Sequence, residues 1–149
     1  MSIAQQAQRI LERAKARGLT IVTAESCTAG AVATSLSKAS GAGGHFQGGF
    51  VTYTKEMKSS VLGVPLKLLQ QKGAVCEEVA EAMALGALKL APADIAVAVT
   101  GVAGPEPDED GNPVGLVFCS AAGRARKVVV FPRRRLVLLP HPTGAILPD

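Results

Sequence analysis

The stretch Thr-Ala-Glu-Ser-Cys-Thr-Ala-Gly at residues 23–30 decides the fold of this chain. It follows an apolar run, Leu19 to Val22, and precedes a helical pattern of small residues, Ala31 to Leu36. This order predicts a buried strand that enters a tight turn and then a helix. Backbone N–H groups at the start of a helix attract anions and polarise carbonyl groups. A phosphate-binding turn and a turn that presents a nucleophile, Ser26, both fit the pattern.

Helices and strands alternate outward from this turn. Helical spacing begins at Ile3 and ends before Gly18, and a Gly-rich loop is expected over 40–44. Further helices are predicted over 28–36, 55–62, 65–71 and 77–90, and strands over 19–24, 49–54, 95–100, 114–122 and 127–131. A turn at 123–126 joins the last two strands into a hairpin. This alternation predicts an α/β protein, a three-layer α/β/α sandwich with a mixed sheet.

The composition is that of one globular domain. The 149 residues are 48% hydrophobic and 19% charged, and no apolar run is long enough to span a bilayer. The amino terminus lacks the basic-then-apolar order of a signal peptide, so we expect a cytoplasmic protein without a membrane partner. Three cysteines without a close pair and two histidines predict free thiols, no disulfide framework and no metal site.

The positive charge is concentrated near the carboxyl end. Residues 1–123 carry 10 basic and 11 acidic residues, whereas residues 124–149 carry 6 and 1. A basic tail is compatible with nucleic-acid contact, but Phe131 is its one aromatic residue. Nucleic acid is therefore not the expected partner.

The turn at 23–30 holds two candidate nucleophiles. Ser26 needs a base, and neither His45 in the Gly-rich loop nor His141 in the tail is well placed, so no Ser-His-Asp triad is expected. Cys27 competes with Ser26, because a helix amino terminus lowers a thiol pKa. The alternative is that Ser26 or Thr28 caps the helix and Cys27 is packed inside.

Two later segments also carry candidate chemistry. Tyr53 ends a predicted strand and Lys58 lies in the next helix, so both side chains can face one cleft. A lysine shielded from water loses its proton more easily and acts as a base for serine; the alternative is a solvated helix face. At 100–105, Thr-Gly-Val-Ala-Gly-Pro allows backbone to approach a ligand. This segment lacks the Walker lysine and the dinucleotide-binding spacing, and an ordinary turn is its alternative.

Taken together, the chain from about Leu11 to Phe131 resembles the carboxy-terminal domain of the CinA (competence/damage-inducible protein A) family, which also occurs alone as nicotinamide-nucleotide amidase. The matching motifs, in order, are Ala24–Thr28 (AESCT), Val51–Tyr53 (VTY), Glu56 with Lys58, Leu62–Val64 (LGV), Gly73–Val75 (GAV), Glu77–Ala80 (EEVA), Thr100–Pro105 (TGVAGP) and Pro113–Gly115 (PVG). An ordered set of this size is far more specific than any one of its members.

The resemblance implies an amidase that converts nicotinamide mononucleotide to nicotinate mononucleotide and ammonia without metal or cofactor. It also implies a three-layer α/β/α fold and a homo-oligomer, with a dimer favoured. Ser26 falls on the family's nucleophile, Lys58 on its base and Tyr53 on the residue that assists them. N–H groups near Cys27 and Thr28 are expected to hold the oxyanion. The substrate-binding residues are expected to be Glu25, Cys27, Thr28, Gly30, Thr100, Gly101, Val102, Ala103 and Gly104.

The chain departs from the family pattern at several places. Ala29 replaces a glycine, Lys55 an asparagine, Cys76 a serine, and the acidic run 106–110 a Gly-rich stretch. After Phe131 the family continues into a long helix, whereas Pro140, Pro142 and Pro148 exclude such a helix here. These features predict an amidase domain over 1–131 and a tail over 132–149 that is either a divergent end or the product of a shifted reading frame. A nucleotide-binding domain with weak or no catalysis is the alternative function.

Overall fold

A computed structural model describes residues 1–124 in full and the backbone of residues 126–133. The first part of the chain folds as α1 (Ile3–Arg17), β1 (Ile21–Glu25), α2 (Ala31–Ser37), α3 (Ala42–His45), β2 (Phe46–Val51) and α4 (Lys55–Leu62). The second part folds as α5 (Leu66–Lys72), α6 (Glu77–Leu90), β3 (Ile95–Gly101), β4 (Val117–Gly123) and β5 (Arg126–Arg133). From residue 134 onward, the predicted tail lies outside the described residues.

The five described strands form one mixed sheet in the order β2-β1-β3-β4-β5. β1 runs parallel to β2 and β3, and β4 runs antiparallel to both β3 and β5. All five residues of β1 are buried, because this strand has a neighbour on each edge and helices on each face. The predicted mixed sheet and the hairpin between β4 and β5 are confirmed.

Helices cover both faces of the sheet, as the predicted three-layer sandwich requires. On one face, Leu11 of α1 and Leu36 of α2 pack against Ile21 of β1. On the other face, Val22 of β1 packs with Met83 of α6 in a cluster that also takes in α4 and α5. Successive strand residues point to opposite faces, so adjacent residues of β1 serve different layers.

Several boundaries differ from the sequence prediction for local reasons. α2 begins at Ala31 rather than at residue 28, because Ala29 and Gly30 adopt left-handed φ angles of 48° and 101° and keep the turn out of the helix. A short helix, α3, occupies the expected loop at 40–44, and β2 begins at Phe46. β4 begins at Val117 because the segment before it forms a turn that is hydrogen-bonded to Val102, the residue after β3. β5 continues two residues beyond Phe131. Among the described helices, none is both long and apolar enough to cross a membrane.

Candidate active site

A cleft of about 430 Å³ opens where β1 and β3 end. Ser26 follows β1 directly, and the 100–104 segment covers the end of β3 and the residues after it. Ligands of open α/β sheets bind at the carboxyl ends of parallel strands, and this cleft occupies that position. The cleft is lined by Ser26, Cys27, Tyr53, Lys58, the 100–104 segment, and residues of the 54–56, 74–75 and 106–110 segments.

Hydrogen bonds to two neighbouring strands fix the turn that carries Ser26. The Ser26 amide donates to the Val99 carbonyl of β3 (2.9 Å), and the Thr52 amide, just after β2, donates to the Glu25 carbonyl (2.9 Å). The Ala29 amide donates to the Ser26 carbonyl (3.0 Å) and closes the turn. Alanine at a positive φ costs about 1 kcal/mol relative to an ordinary conformation, so glycine would suit the backbone better at position 29.

The carboxylate of Glu25 attaches the start of α2 to the end of β1. Glu25 is fully buried, and its oxygens accept from the amides of Val32 and Ala33 at 2.9 Å and from the Thr28 hydroxyl at 2.6 Å. These bonds satisfy N–H groups that the first turn of any helix leaves unpaired, and the negative charge suits the positive end of the helix dipole. Glu25 and Thr28 therefore stabilise the turn and the start of α2.

Lys58 of α4 reaches through the protein interior to Ser26. Its side chain has no exposed surface, and its Nζ donates to the Ser26 hydroxyl at 2.7 Å. Nζ also donates to the carbonyls of Thr52 at 2.8 Å and Tyr53 at 3.0 Å. α4 places Lys58 on its buried face together with Leu62, one turn later, while Thr54 caps the helix by accepting from the Met57 amide.

Burial lowers the pKa of Lys58 from 10.5 to about 8, since a charged ammonium is poorly solvated there. Within the described part of the chain, no carboxylate lies within ion-pair distance of Nζ, so nothing of that kind opposes the shift. The neutral amine is therefore accessible near physiological pH. Its two remaining N–H bonds match the two backbone carbonyls, which leaves the lone pair to face the Ser26 hydroxyl.

Cys27 is packed against the core instead of being activated. It is buried and contacts Val99 and Val117, and burial raises its pKa from 9.0 to about 11. The expectation of a lowered thiol pKa is wrong, because α2 begins four residues later and the thiol lies in apolar surroundings. Between the two candidate nucleophiles of the turn, Ser26 is the one with a base at hydrogen-bond distance.

Tyr53 contributes to the cleft in two ways. Its backbone carbonyl holds Lys58, and its side chain, 64% exposed, lines the cleft above the Ser26–Lys58 pair. Tyr53 and Lys58 both line this cleft, although Tyr53 does not end a strand as predicted, because β2 stops at Val51. An exposed aromatic ring beside a serine and a lysine provides a flat apolar surface for a planar ring of a ligand.

The 100–104 segment forms a second wall of the cleft at the end of β3. The Thr100 hydroxyl donates to the Ala74 carbonyl at 2.7 Å, which ties this wall to the segment before α6. A Cβ on Gly101 would lie 2.7 Å from the Leu116 carbonyl oxygen, so this position tolerates only glycine. Gly104 has a φ of 95° and precedes Pro105. The wall is thus a backbone surface that a ligand can approach closely.

The structure brings most of the predicted site residues together. Ser26, Tyr53, Lys58, Cys27 and the residues 100–104 line one cleft. By contrast, Glu25, Thr28 and Gly30, which were expected to bind substrate, are not among the residues that line it, and the first two of them instead support α2. In the part of the chain that the structure describes, no cluster of side chains suits a metal ion.

The acidic run 106–110, which follows the 100–105 segment in the sequence, contributes four residues to the lining of the cleft. Lys55, at the start of α4, forms ion pairs with Glu109 at 2.9 Å and Asp110 at 3.0 Å. Asp110 lies over Gly73, where a Cβ would come within 2.6 Å of a carboxylate oxygen. The available signal was that Lys55 and the 106–110 run both depart from the family pattern.

This geometry defines a class of protein: a three-layer α/β/α domain with a buried serine–lysine pair under a cleft. The family model for the CinA C-terminal domain matches residues 3–135, and the chain therefore belongs to that family. The match begins before and ends beyond the motifs that carry the resemblance in the sequence.

Relatives of known name fall into two length classes. The chain is 49% identical over 109 residues to a CinA-like protein of Geobacter sulfurreducens, covering 73% of this chain and 26% of that one. It thus spans about a quarter of the length of the long CinA-like relatives. It is also 45% identical over 118 residues to the nicotinamide-nucleotide amidohydrolase PncC of Escherichia coli K12, covering 79% of this chain and 72% of the enzyme.

Solved structures carry the same fold. The competence/damage inducible protein CihA of Agrobacterium tumefaciens superposes with a TM-score of 0.83 at 40% identity, covering 88% of this chain and 82% of that one. A CinA superfamily protein of Escherichia coli gives a TM-score of 0.82 at 36% identity, covering 89% and 78%. The sandwich architecture is therefore that of the CinA superfamily.

Proposed function

We propose that this chain hydrolyses the carboxamide of nicotinamide mononucleotide, releasing ammonia and nicotinate mononucleotide, with Ser26 as nucleophile and Lys58 as general base. The observation that carries the proposal is the 2.7 Å contact between a buried lysine of lowered pKa and a serine hydroxyl at the floor of a cleft. The name of the PncC relative, a nicotinamide-nucleotide amidohydrolase, supports the reaction class and the substrate.

The first half of the proposed reaction forms an acyl-enzyme. Neutral Lys58 accepts the Ser26 proton while Oγ attacks the amide carbon, which gives a tetrahedral oxyanion. The amides of Cys27 and Thr28 follow the nucleophile in the turn, and the backbone bonds of the described residues give neither amide a carbonyl partner. Cys27 lines the cleft, and we assign its amide to the oxyanion, with the Thr28 amide as the expected second donor. The Lys58 ammonium then protonates the leaving nitrogen, the C–N bond breaks, and ammonia departs.

The second half returns the enzyme to its starting state. Lys58, again neutral, accepts a proton from water, whose oxygen attacks the acyl carbon. Collapse of the second tetrahedral species breaks the bond to Ser26, whose Oγ recovers the proton from Lys58. The carbonyls of Thr52 and Tyr53 hold the amine in place throughout. The chain needs no further acid or base for this cycle.

The remaining walls suit the rest of such a substrate. The exposed ring of Tyr53 offers a surface for the pyridine ring, and the 100–104 backbone offers one for the ribose phosphate. The proposal includes a cytoplasmic enzyme that acts as a homo-oligomer, in keeping with the implied dimer.

A second candidate is a domain that binds a nucleotide without turning it over. The specific observation in its favour is the acidic run 106–110, which lines the same cleft and is unfavourable for a phosphate. Calorimetry that detects binding of the mononucleotide, combined with no ammonia release, would favour this candidate over the amidase.

The amidase proposal is tested by ammonia release from the mononucleotide. We expect Ser26→Ala to lose at least about a thousandfold in kcat, as removal of a serine nucleophile does in other hydrolases. Ser60→Ala, an exposed serine on α4, is the matched control and should keep full activity. Cys27→Ala should also remain active, since its thiol is protonated. Equal activity of the Ser26→Ala protein and the unchanged protein would exclude Ser26 as the nucleophile.

A further inference from the structure

The mouth of the cleft is acidic although the chain is basic. The chain carries a formal net charge of +4, yet five of its twelve acidic residues line this one cleft, against two lysines. We call these five the acidic rim: Glu56, Glu106, Asp108, Glu109 and Asp110. The described lining therefore carries a net negative charge, whereas the excess of basic residues in this chain lies in residues 124–149.

Specific contacts hold the acidic rim in position. The Asp108 carboxylate accepts from the backbone amides of Asp110 at 3.0 Å and Asn112 at 2.8 Å, and from the Asn112 side chain at 2.8 Å. Lys55 ties Glu109 and Asp110 to the start of α4, and the missing side chain of Gly73 gives Asp110 its space. The carboxylates of Asp108, Glu109 and Asp110 are therefore held beside the cleft.

Both lysines that line the described cleft already have partners. Lys58 donates to Ser26 and two carbonyls at the floor, and Lys55 is shared between two carboxylates. Within the described lining, a phosphate thus meets no unpaired cation, and it meets several carboxylates. A pyridinium ring, which carries a positive charge, meets the opposite field.

We infer that the acidic rim makes this site select a pyridinium carboxamide nucleoside over its 5′-phosphate. The inference rests on the proposed function and narrows its substrate class: the mononucleotide is accepted, and the unphosphorylated nucleoside is bound more tightly. The reacting amide and the cationic ring are the same in both compounds. The phosphate, with a charge of about −1.5 to −2 at neutral pH, is the group that the rim disfavours.

The size of the effect follows from Coulomb's law. One pair of unit charges about 10 Å apart in water changes a binding constant by roughly twofold. Removing two rim charges should therefore change the nucleoside-to-nucleotide ratio by about fivefold at an ionic strength of about 0.01 M, and by about twofold at about 0.1 M. This dependence on salt distinguishes an electrostatic cause from a steric one.

The test is calorimetry on the full chain with nicotinamide riboside and nicotinamide mononucleotide. The Ser26→Ala background removes turnover, and Glu106→Gln with Glu109→Gln removes two exposed rim charges. Glu12→Gln with Glu81→Gln in the same background is the charge-matched control, because neither residue lines the cleft. We expect tighter binding of the nucleoside in the background protein, a ratio about fivefold smaller at low salt in the rim variant, and no change in the control.

Tighter binding of the mononucleotide by the background protein, binding of neither compound, or a ratio that the rim substitutions leave unchanged would each overturn the inference. Ammonia assays on the chain with Ser26 intact separate this inference from the proposed function. If that protein releases no ammonia from either compound while the nucleoside is still preferred in binding, the amidase proposal fails and the selectivity stands.

Discussion

Two lysines on one helix of this protein have opposite environments. Lys55 and Lys58 lie within a single turn of α4, yet one stands at the rim of the cleft and the other at its floor. Burial lowers the pKa of Lys58 to about 8, whereas hydrogen bonds first to Glu109 and then to Asp110 raise the pKa of Lys55 above its usual value. The rim lysine thus keeps its proton and the floor lysine readily releases it.

The difference shows that the protonation behaviour of each lysine depends on its position in the cleft, since the residue type is the same. At the floor, neutral carbonyls and a hydroxyl surround the amine, and these groups accommodate either protonation state. At the rim, two carboxylates surround the amine in contact with solvent and favour only the charged form. A base is therefore expected at the floor, and charge selection is expected at the rim.

The largest expected effect is on kcat, after substitution of Lys58 at the floor of the cleft. Lys58→Met keeps the length and apolar stem of the side chain but removes the base, so kcat for ammonia release should fall by about 10²- to 10⁴-fold. Lys67→Met, an exposed lysine on α5, is the matched control and should keep its activity. A Lys58→Met protein that is folded by circular dichroism and retains more than about a tenth of the activity would show that another group accepts the Ser26 proton.

The second effect concerns stability and pH. Because the folded-state pKa of Lys58 is about 8 and its ordinary value is 10.5, the unfolded chain binds one more proton between these limits. Stability therefore rises with pH through this window, by about 3 kcal/mol in total for this group. Denaturant unfolding of the unchanged protein and of Lys58→Met, from pH 7 to pH 10, should show the unchanged protein gaining relative to the variant. A constant or falling difference would contradict a buried, depressed lysine.

The elements that carry both lysines could be predicted from sequence, because their ends have strong local signals. α4 has its predicted bounds, with Thr54 as a side-chain cap and Gly63 in the left-handed conformation after the last turn. α6 likewise runs over the predicted 77–90. The pairing of Ser26 with Lys58 came from the resemblance to the CinA family, because the residue pattern alone left a helix cap and a solvated helix face open as alternatives.

Other features depend on contacts that no local pattern reveals. The start of α2 depends on two left-handed residues, Ala29 and Gly30, and alanine gives little sign of that conformation. The contact of Lys55 with Asp110 joins residues 55 positions apart. The pKa of Cys27 depends on packing against Val99 and Val117, which come from other strands. Each of these needed the folded backbone.

A third prediction contrasts the buried carboxylate of Glu25 with the exposed ones of the acidic rim. Each oxygen of Glu25 accepts from one backbone amide, of Val32 or of Ala33. Glu25→Gln keeps one of these oxygens and replaces the other with an NH₂ group, which cannot accept from an amide. We expect a loss of about 1–3 kcal/mol in the free energy of unfolding, measured with guanidinium. Glu12→Gln on the exposed face of α1 should change it by less than about 0.5 kcal/mol. Equal values for the two variants would mean that Glu25 does not hold α2.

The smallest expected effect concerns Lys55 itself. Its ion pairs with Glu109 and Asp110 are in contact with solvent, and exposed pairs contribute about 0–1 kcal/mol, so Lys55→Met should change stability by no more than that. The variant also leaves the acidic rim without its nearby cation, and the preference for nucleoside over mononucleotide should therefore increase slightly. Guanidinium unfolding and the two-ligand calorimetry measure these together. A loss of more than about 2 kcal/mol in the free energy of unfolding would show that Lys55 stabilises the fold. The assignment of structural importance to the floor of the cleft and of charge selection alone to its rim would then be wrong.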